Sequence, residues 1–179
     1  YVPALGNKVK KALVPDLDGA IFPERIAVPN CESVHDRAVI EVMRGCYRGC
    51  RFCQAGFIYR PVRRRGVETL TAQACSLIRN TGYDEASLNS LSTGDYPQLR
   101  ELLKSLKQSL PDGVKLALPS LRVDSFDGDF AQDSRRVSLT FAPEAGSQRL
   151  RDVINKDVTL EEILRAAESA FDVGYSAVK

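Results

Sequence analysis

This sequence carries almost no net charge: 25 Lys and Arg stand against 23 Asp and Glu, a formal +2. That balance does not demand a nucleic acid partner, although a local patch can still bind one. No apolar run approaches the ~20 residues of a membrane helix, and no charged-then-apolar leader precedes the domain, so no membrane is expected. There is no P-loop, no H-E-x-x-H and no nucleophile elbow, so phosphate-cradling, zinc-protease and serine-hydrolase chemistry lack their motifs. No G-x-G-x-x-G follows the first predicted strand, which weakens a dinucleotide-binding reading. The single histidine, His35, has no partner motif and reads as a packing or hydrogen-bonding residue. Evenly spread cysteine pairs are missing too. The five cysteines are an odd number, and three fall between Cys46 and Cys53. A disulfide framework would distribute pairs along the chain; a tight cluster points to a metal or cluster site in a reducing compartment, so a cytoplasmic location is expected.

What is present is an ordinary globular composition, 44% hydrophobic and 27% charged over 179 residues, enough for one domain with a sizeable core. The chain starts at Tyr1 rather than Met and stops at Lys179 just as an apolar run opens after Gly174. We read it as a segment of a longer protein. Residues 1–36 form an irregular lead-in broken by Pro3, Pro15, Pro23 and Pro29, with Ile26–Val28 as a short edge strand. Residues 37–179 form the core domain, incomplete at its C-terminus.

Strand and helix patterns alternate through that core. Ala38–Met43 is apolar on both faces, as in a parallel sheet buried on both sides. Val67–Thr81 places Leu70, Ala74, Leu77 and Ile78 on one helical face and is stopped by Gly82. Ala86–Leu91 is a second strand, and Pro97–Leu110 a second helix with a leucine stripe. Val114–Leu118 and Val137–Phe141 are the third and fourth strands, separated by an irregular crossover over Ser125–Asp133. A brief helix spans Ser147–Ile154. A stronger one starts at Thr159, where Glu162 completes a capping-box spacing. Its buried face is expected to hold Leu160, Ile163, Leu164, Ala167 and Phe171. Tyr175–Val178 opens a fifth strand. Repeated β–α units imply an α/β fold with a parallel sheet and right-handed crossovers, either a barrel or an open doubly wound sheet. In both, chemistry sits at the C-terminal ends of the strands, where the unusual polar residues fall.

The run Arg44-Gly-Cys-Tyr-Arg-Gly-Cys-Arg-Phe-Cys53 follows the first strand with C-x3-C-x2-C spacing. Three thiolates on one loop can each ligate one iron of a cubane and leave the fourth iron open. Gly45 and Gly49 let the backbone approach such a cluster and present amide donors to its sulfurs. A zinc site is the alternative. It needs a fourth ligand, which His35 or Cys31 could supply, and it more often uses paired C-x2-C units. Buried structural thiols would not be interleaved with Arg44, Arg48 and Arg51. Cys75, beside the apolar stripe of a helix, reads as structural, and Cys31 receives no role.

C-x3-C-x2-C with an aromatic residue before the third cysteine resembles the radical S-adenosylmethionine (SAM) superfamily. The longer run Cys46–Pro61 (CYRGCRFCQAGFIYRP), with STGDYP and APEAGSQRLR further on, resembles its cobalamin-associated, methylthiotransferase-like branch. The resemblance covers about His35 to the C-terminus. It implies a partial, TIM-like (β/α) barrel, here truncated within or after the fifth strand. It implies that Cys46, Cys50 and Cys53 hold a [4Fe–4S] cluster whose open iron binds SAM. Reductive cleavage of SAM would then give a 5′-deoxyadenosyl radical for hydrogen abstraction from an unknown substrate. A flavodoxin- or ferredoxin-type electron donor is implied, and cobalamin if a suitable domain lies outside this segment. Phe52, Ser92, Thr93, Gly94, Asp95, Glu144 and Arg149 match the positions that contact SAM in that family. The family's Gly-Gly-Glu becomes Ser92-Thr93-Gly94-Asp95 here, which leaves Asp95 or a backbone carbonyl for the SAM ammonium; Asp95 is equally suited to cap the helix near Pro97. Glu144 matches the carboxylate that takes the ribose hydroxyls, or it sits at a helix N-terminus to suit the dipole. Arg149 or Arg151 could pair with the SAM carboxylate, or Arg149 could lie on a solvated face. Ser120, Arg122 and Asp124 are expected to face the same cavity.

Two readings from other classes compete with the enzyme. One is a non-catalytic iron–sulfur or zinc protein. The other is an RNA-binding or RNA-modifying module acting through Arg60, Arg63, Arg64 and Arg65 beside Tyr59, unless that run is simply a solvated loop.

Overall fold

The chain is represented by a computed structural model that describes residues 6, 10–31, 33–119, 121–126, 128 and 139–179. Three strands form its parallel sheet: β1 (Ala38–Glu41), β4 (Glu85–Asn89) and β5 (Lys115–Ala117), in the order β1-β4-β5. Ile40 stands beside Leu88, and Ala86 beside Leu116. A two-residue antiparallel pair, β2 (Met43–Arg44) with β3 (Arg63–Arg64), lies between the first two of these strands in sequence.

The helix α1 (Ala55–Ile58) is one short turn. The helix α2 (Val67–Thr81) occupies the residues its periodicity predicts, and Gly82 ends it at φ 76° with its N–H bonded to the Ile78 carbonyl. That left-handed stop suits a residue without Cβ. The next helix, α3 (Leu99–Ser109), starts two residues after Pro97; Gln98 occupies its N-cap. Leu70, Ala74 and Leu77 of α2 and Leu99, Leu102 and Leu106 of α3 pack with Ala38, Ile40, Ala86 and Leu88 of the sheet into one core. Fully burying each leucine is worth ~1.5–3 kcal/mol.

The expected burial of the first strand on both faces is not met. Ala38 and Ile40 are fully buried under the helices, but Val39 on the other face is 45% exposed. Among the described residues the three paired strands do not close on themselves, and the Val39 face of the sheet is partly exposed. Ile26–Val28 forms no strand. The lead-in packs by other means. Leu17 is buried, the Asp18 carboxylate accepts from the Gly66 amide at 2.8 Å, and the Asn80 amide donates to the Glu24 carbonyl at 2.8 Å.

The C-terminal third builds a second core. It contains the helices α4 (Gln148–Val153) and α5 (Leu160–Asp172). Thr159 and Glu162 close the capping box as predicted. The buried face of α5 differs from the expected one. Ala166 and Ala170 are buried and Ile163 packs partly, whereas Leu160, Leu164 and Phe171 are more than half exposed. The small alanines let the helix approach Val123, Leu139, Phe141, Val158 and Tyr175 closely. Phe126 meets Phe141 edge-on at 5.4 Å. Of the fourth predicted strand, residues 137 and 138 lie outside the described set. Leu139 forms a parallel bridge with Val178, and Phe141 donates to the Lys179 carbonyl at 2.8 Å, so the start of the fifth predicted strand runs beside the end of the fourth. The crossover at 125–133 lies mostly outside the described residues.

The chain is therefore an α/β protein with a parallel sheet and alternating helices, consistent with a partial β/α barrel. Among the described residues, no helix is long and apolar enough to cross a membrane.

Candidate functional site

The loop carrying the cysteines is a closed excursion. It leaves from β2 and returns through β3, which pair with each other. Gly45 takes φ 94°, and a Cβ there would lie 2.7 Å from the Tyr59 carbonyl oxygen. Neither the dihedral nor the space admits another residue. Within the loop, Cys46 and Cys50 are 9% exposed and Cys53 is half-buried. The Cys53 amide donates to the Cys50 carbonyl at 3.1 Å, and the Arg48 amide to the Cys46 sulfur at 3.4 Å. Burial pushes the Cys46 thiol up; the Arg48 amide opposes this, and the charges of Asp95, Cys50 and Cys53 add to it.

Among the described residues, no group of three or more His, Cys, Asp or Glu converges where a single ion would sit. A cubane does not require such convergence, because each thiolate binds a different iron. Three soft thiols on one loop, two of them sheltered and one with an amide donor at its sulfur, suit an iron–sulfur cluster. His35 contacts Arg37, which pairs with Glu85 at the N-terminal end of β4, the end of the sheet away from the cysteine loop. Cys31 is exposed, and Cys75 donates weakly to the Ser109 carbonyl between α2 and α3.

From the middle of the cysteine loop, Arg48 reaches two other strand ends. Its Nε and Nη2 donate to the Asp95 carboxylate at 2.9 and 2.5 Å, and its Nη1 lies 2.8 Å from Asp124. Ser92 donates to Asp95 at 2.7 Å, and Arg122 Nε to Asp124 at 2.9 Å. Asp95 follows β4 in a short 3₁₀ turn, Thr93–Asp95; Asp124 follows β5 in another, Val123–Ser125. The hydrogen bond to Asp95 leads the causes that hold the Arg48 guanidinium well above its ordinary value. Burial alone would push Asp95 up, but the hydrogen bonds from Arg48 and Ser92 and the charges of Arg48 and Arg122 outweigh it and hold the carboxyl below its usual range. Asp95 is thus not the cap of the following helix, which has no side-chain cap.

A second support comes from the turn after α4. The Ile154 carbonyl accepts from the Arg51 amide at 2.9 Å, and the Asn155 side chain donates to the Gly49 carbonyl at 2.9 Å. Lys156 is largely buried. Its ammonium sits 5.9 Å from the Phe52 ring centroid and 3.2 Å from Glu144. The Lys156 carbonyl accepts from Arg122 at 2.8 Å. Asn155, Asp157 and Glu144 all take positive φ without being glycine; Asn and Asp tolerate this conformation, whereas for Glu144 it costs ~1–2 kcal/mol.

The structure brings Phe52, Ser92, Thr93, Gly94, Asp95 and Glu144 to this end of the sheet with the three cysteines. A Cβ on Gly94 would lie 2.0 Å from the Ser125 hydroxyl, so Gly94 is where the ends of β4 and β5 touch. Arg149 is not brought in; it lies exposed on α4. Arg151 is 2% exposed, and its guanidinium serves the Val158, Ala145 and Gly146 carbonyls and the Gln148 side chain. Ser120 lies outside the described residues. Sequence reasoning missed Lys156 and Asn155. Their only signal is a polar Asn-Lys-Asp break between two helices. Two clefts border the site and share Leu91. One, of about 310 Å³, is lined by Glu41, Arg44, Gly45, Tyr59 and Asn89 among others. The other, of about 150 Å³, is lined by Arg122, Lys156, Ala142 and Val158 among others.

The basic run after the loop is divided: Arg65 is buried and Arg63 half-buried, whereas Arg60 and Arg64 are exposed. Arg60 bonds the Gly56 carbonyl and lies over the Phe57 ring. Arg63 bonds the Pro61, Val14 and Tyr59 carbonyls, and Arg65 is buried against the Leu17 carbonyl.

The sequence profile of the radical SAM superfamily matches residues 40–179. The chain belongs to that superfamily, which implies SAM-dependent radical chemistry. Among its relatives is an uncharacterized protein of Methanocaldococcus jannaschii, 37% identical over 178 residues that cover 94% of this chain and 39% of the relative. Another is a tRNA-2-methylthio-N(6)-dimethylallyladenosine synthase of Chlorobaculum tepidum, 28% identical over 140 residues that cover 71% of this chain and 31% of that enzyme. The chain thus spans less than half the length of either relative.

Proposed function

We propose that this chain is the radical-generating core of a SAM enzyme, with Cys46, Cys50 and Cys53 each holding one iron of a [4Fe–4S] cluster. These residues would hold the cluster, which when bound and reduced would supply the electron for cleavage of the SAM C5′–S bond, releasing methionine and a 5′-deoxyadenosyl radical able to abstract hydrogen from the substrate. The chain's own residues bind and orient. A carboxylate offers about four lone-pair sites. Arg48 and Ser92 take three on Asp95. One remains on Oδ1 for the SAM ammonium. Lys156 and Arg122 present cations beside the smaller cleft for the SAM carboxylate. Phe52 offers a ring face, and Glu144 an acceptor for hydroxyls. A flavodoxin- or ferredoxin-type protein fits as electron donor.

The carrying observation is the juxtaposition of a three-thiol loop with polar residues from the ends of β4 and β5, tied together through Arg48. The test is anaerobic reconstitution of the full-length protein with iron, sulfide, reductant and SAM. We expect a brown protein that forms 5′-deoxyadenosine, with both properties lost in Cys46→Ser, Cys50→Ser and Cys53→Ser. A cluster-bearing protein that never forms 5′-deoxyadenosine overturns the enzyme reading. Stoichiometric zinc in place of iron overturns the cluster as well.

A further inference from the structure

Four charged side chains alternate across the strand ends in the order Asp95, Arg48, Asp124, Arg122. We infer that Arg48 is the positioning residue of the cysteine loop, latching it through Asp95 to the end of β4 and through Asp124 to the end of β5. The geometry stands by itself; its consequence for the cofactor rests on the function proposed above.

Arg48 lies between Cys46 and Cys50, so whatever holds its guanidinium holds the segment bearing both thiols. All three guanidinium nitrogens are engaged by the two carboxylates. The three side chains are 27%, 12% and 13% exposed, so water competes weakly for them. A planar fork is required here. One ammonium cannot pair with Asp95 through two parallel hydrogen bonds and also reach Asp124. Ser92 and Arg122 fix the two carboxylates from behind, which makes the latch a lock between pre-set parts. The carboxylate that anchors the loop is also the one with a spare acceptor site, so a single contact sets the relative position of thiols and ligand. Without Arg48, Asp95 and Asp124 would confront each other beside three thiols with a positive charge missing.

The experiment compares full-length wild type, Arg48→Gln and Arg48→Lys. In metal-free protein, amide hydrogen exchange across residues 45–54 should be faster in both variants. After reconstitution, iron content should persist. KM for SAM should rise about tenfold, equivalent to ~1.4 kcal/mol of binding, with a smaller change in kcat. The change in the EPR spectrum of the reduced cluster on adding SAM should diminish. Wild-type loop exchange in Arg48→Gln overturns the latch. So does Arg48→Lys matching wild type in exchange, KM and EPR, since charge alone would then suffice. If Arg48→Gln does not fold, Asp124→Asn decides: faster loop exchange supports the latch and wild-type exchange overturns it. If wild type assembles no cluster, the proposed function fails, while exchange in the metal-free protein still judges the latch.

Discussion

Asp95 shows how far a single residue could be read in advance. Its place after the second predicted strand marked it as polar and near the cysteines, but nothing in the sequence pairs it with Arg48. That pairing depends on two loops meeting across a sheet, and the partners lie 47 positions apart. It has a measurable signature. Because the folded-state carboxyl is held below its ordinary value, its contribution to stability is present above about pH 3.9. That contribution is lost as pH falls through the lowered folded value. Thermal melts of wild type and Asp95→Asn should therefore differ by a constant margin between pH 5 and 7, and the margin should shrink as the pH is taken below about 4. A margin that does not depend on pH would mean Asp95 is not held as a carboxylate. Gly45 gives a second check. Gly45→Ala must accept positive φ, at ~1–2 kcal/mol, and also relieve a 2.7 Å approach to the Tyr59 carbonyl. For a chain of this size the first effect alone lowers the melting temperature by about 2–8 °C.

Among the elements, α2 was legible from end to end. Its apolar spacing and its terminal glycine act locally, and tertiary context had nothing to override. The faces of α5 were not. Leu160, Leu164 and Phe171 make the more hydrophobic stripe, yet Ala166 and Ala170 pack inward. Hydrophobicity says which residues gain from burial, while shape decides which face fits a neighbour. A buried leucine of α3 and an exposed leucine of α5 should consequently respond very differently to the same change. Leu102→Ala, at a fully buried position, should cost ~2–5 kcal/mol in denaturant unfolding. Leu164→Ala, at a position 55% exposed, should stay within about 0.5 kcal/mol of wild type. A large loss at Leu164 would show that a partner surface covers it in solution.

At the scale of the whole molecule, the β–α alternation was legible because each unit repeats a local pattern. The cooperation of two cores around one loop was not. The first core supplies the strand that launches the cysteines, and the second supplies the turn that steadies them, through residues with no marked motif of their own. That division has a consequence in time. Asn155 and Gly49 lie 106 positions apart, and long-range contacts of this kind form late, since chain closure is entropically costly before other contacts reward it. During synthesis the three thiols leave the ribosome well before the residues that hydrogen-bond their loop at Gly49 and Arg51. An iron–sulfur donor that arrives early meets a loop without these hydrogen bonds; one that arrives late meets a loop already fixed by them. The order in which the loop gains its rigidity is thus written into which half of the chain holds the cysteines and which half holds the turn that braces their loop.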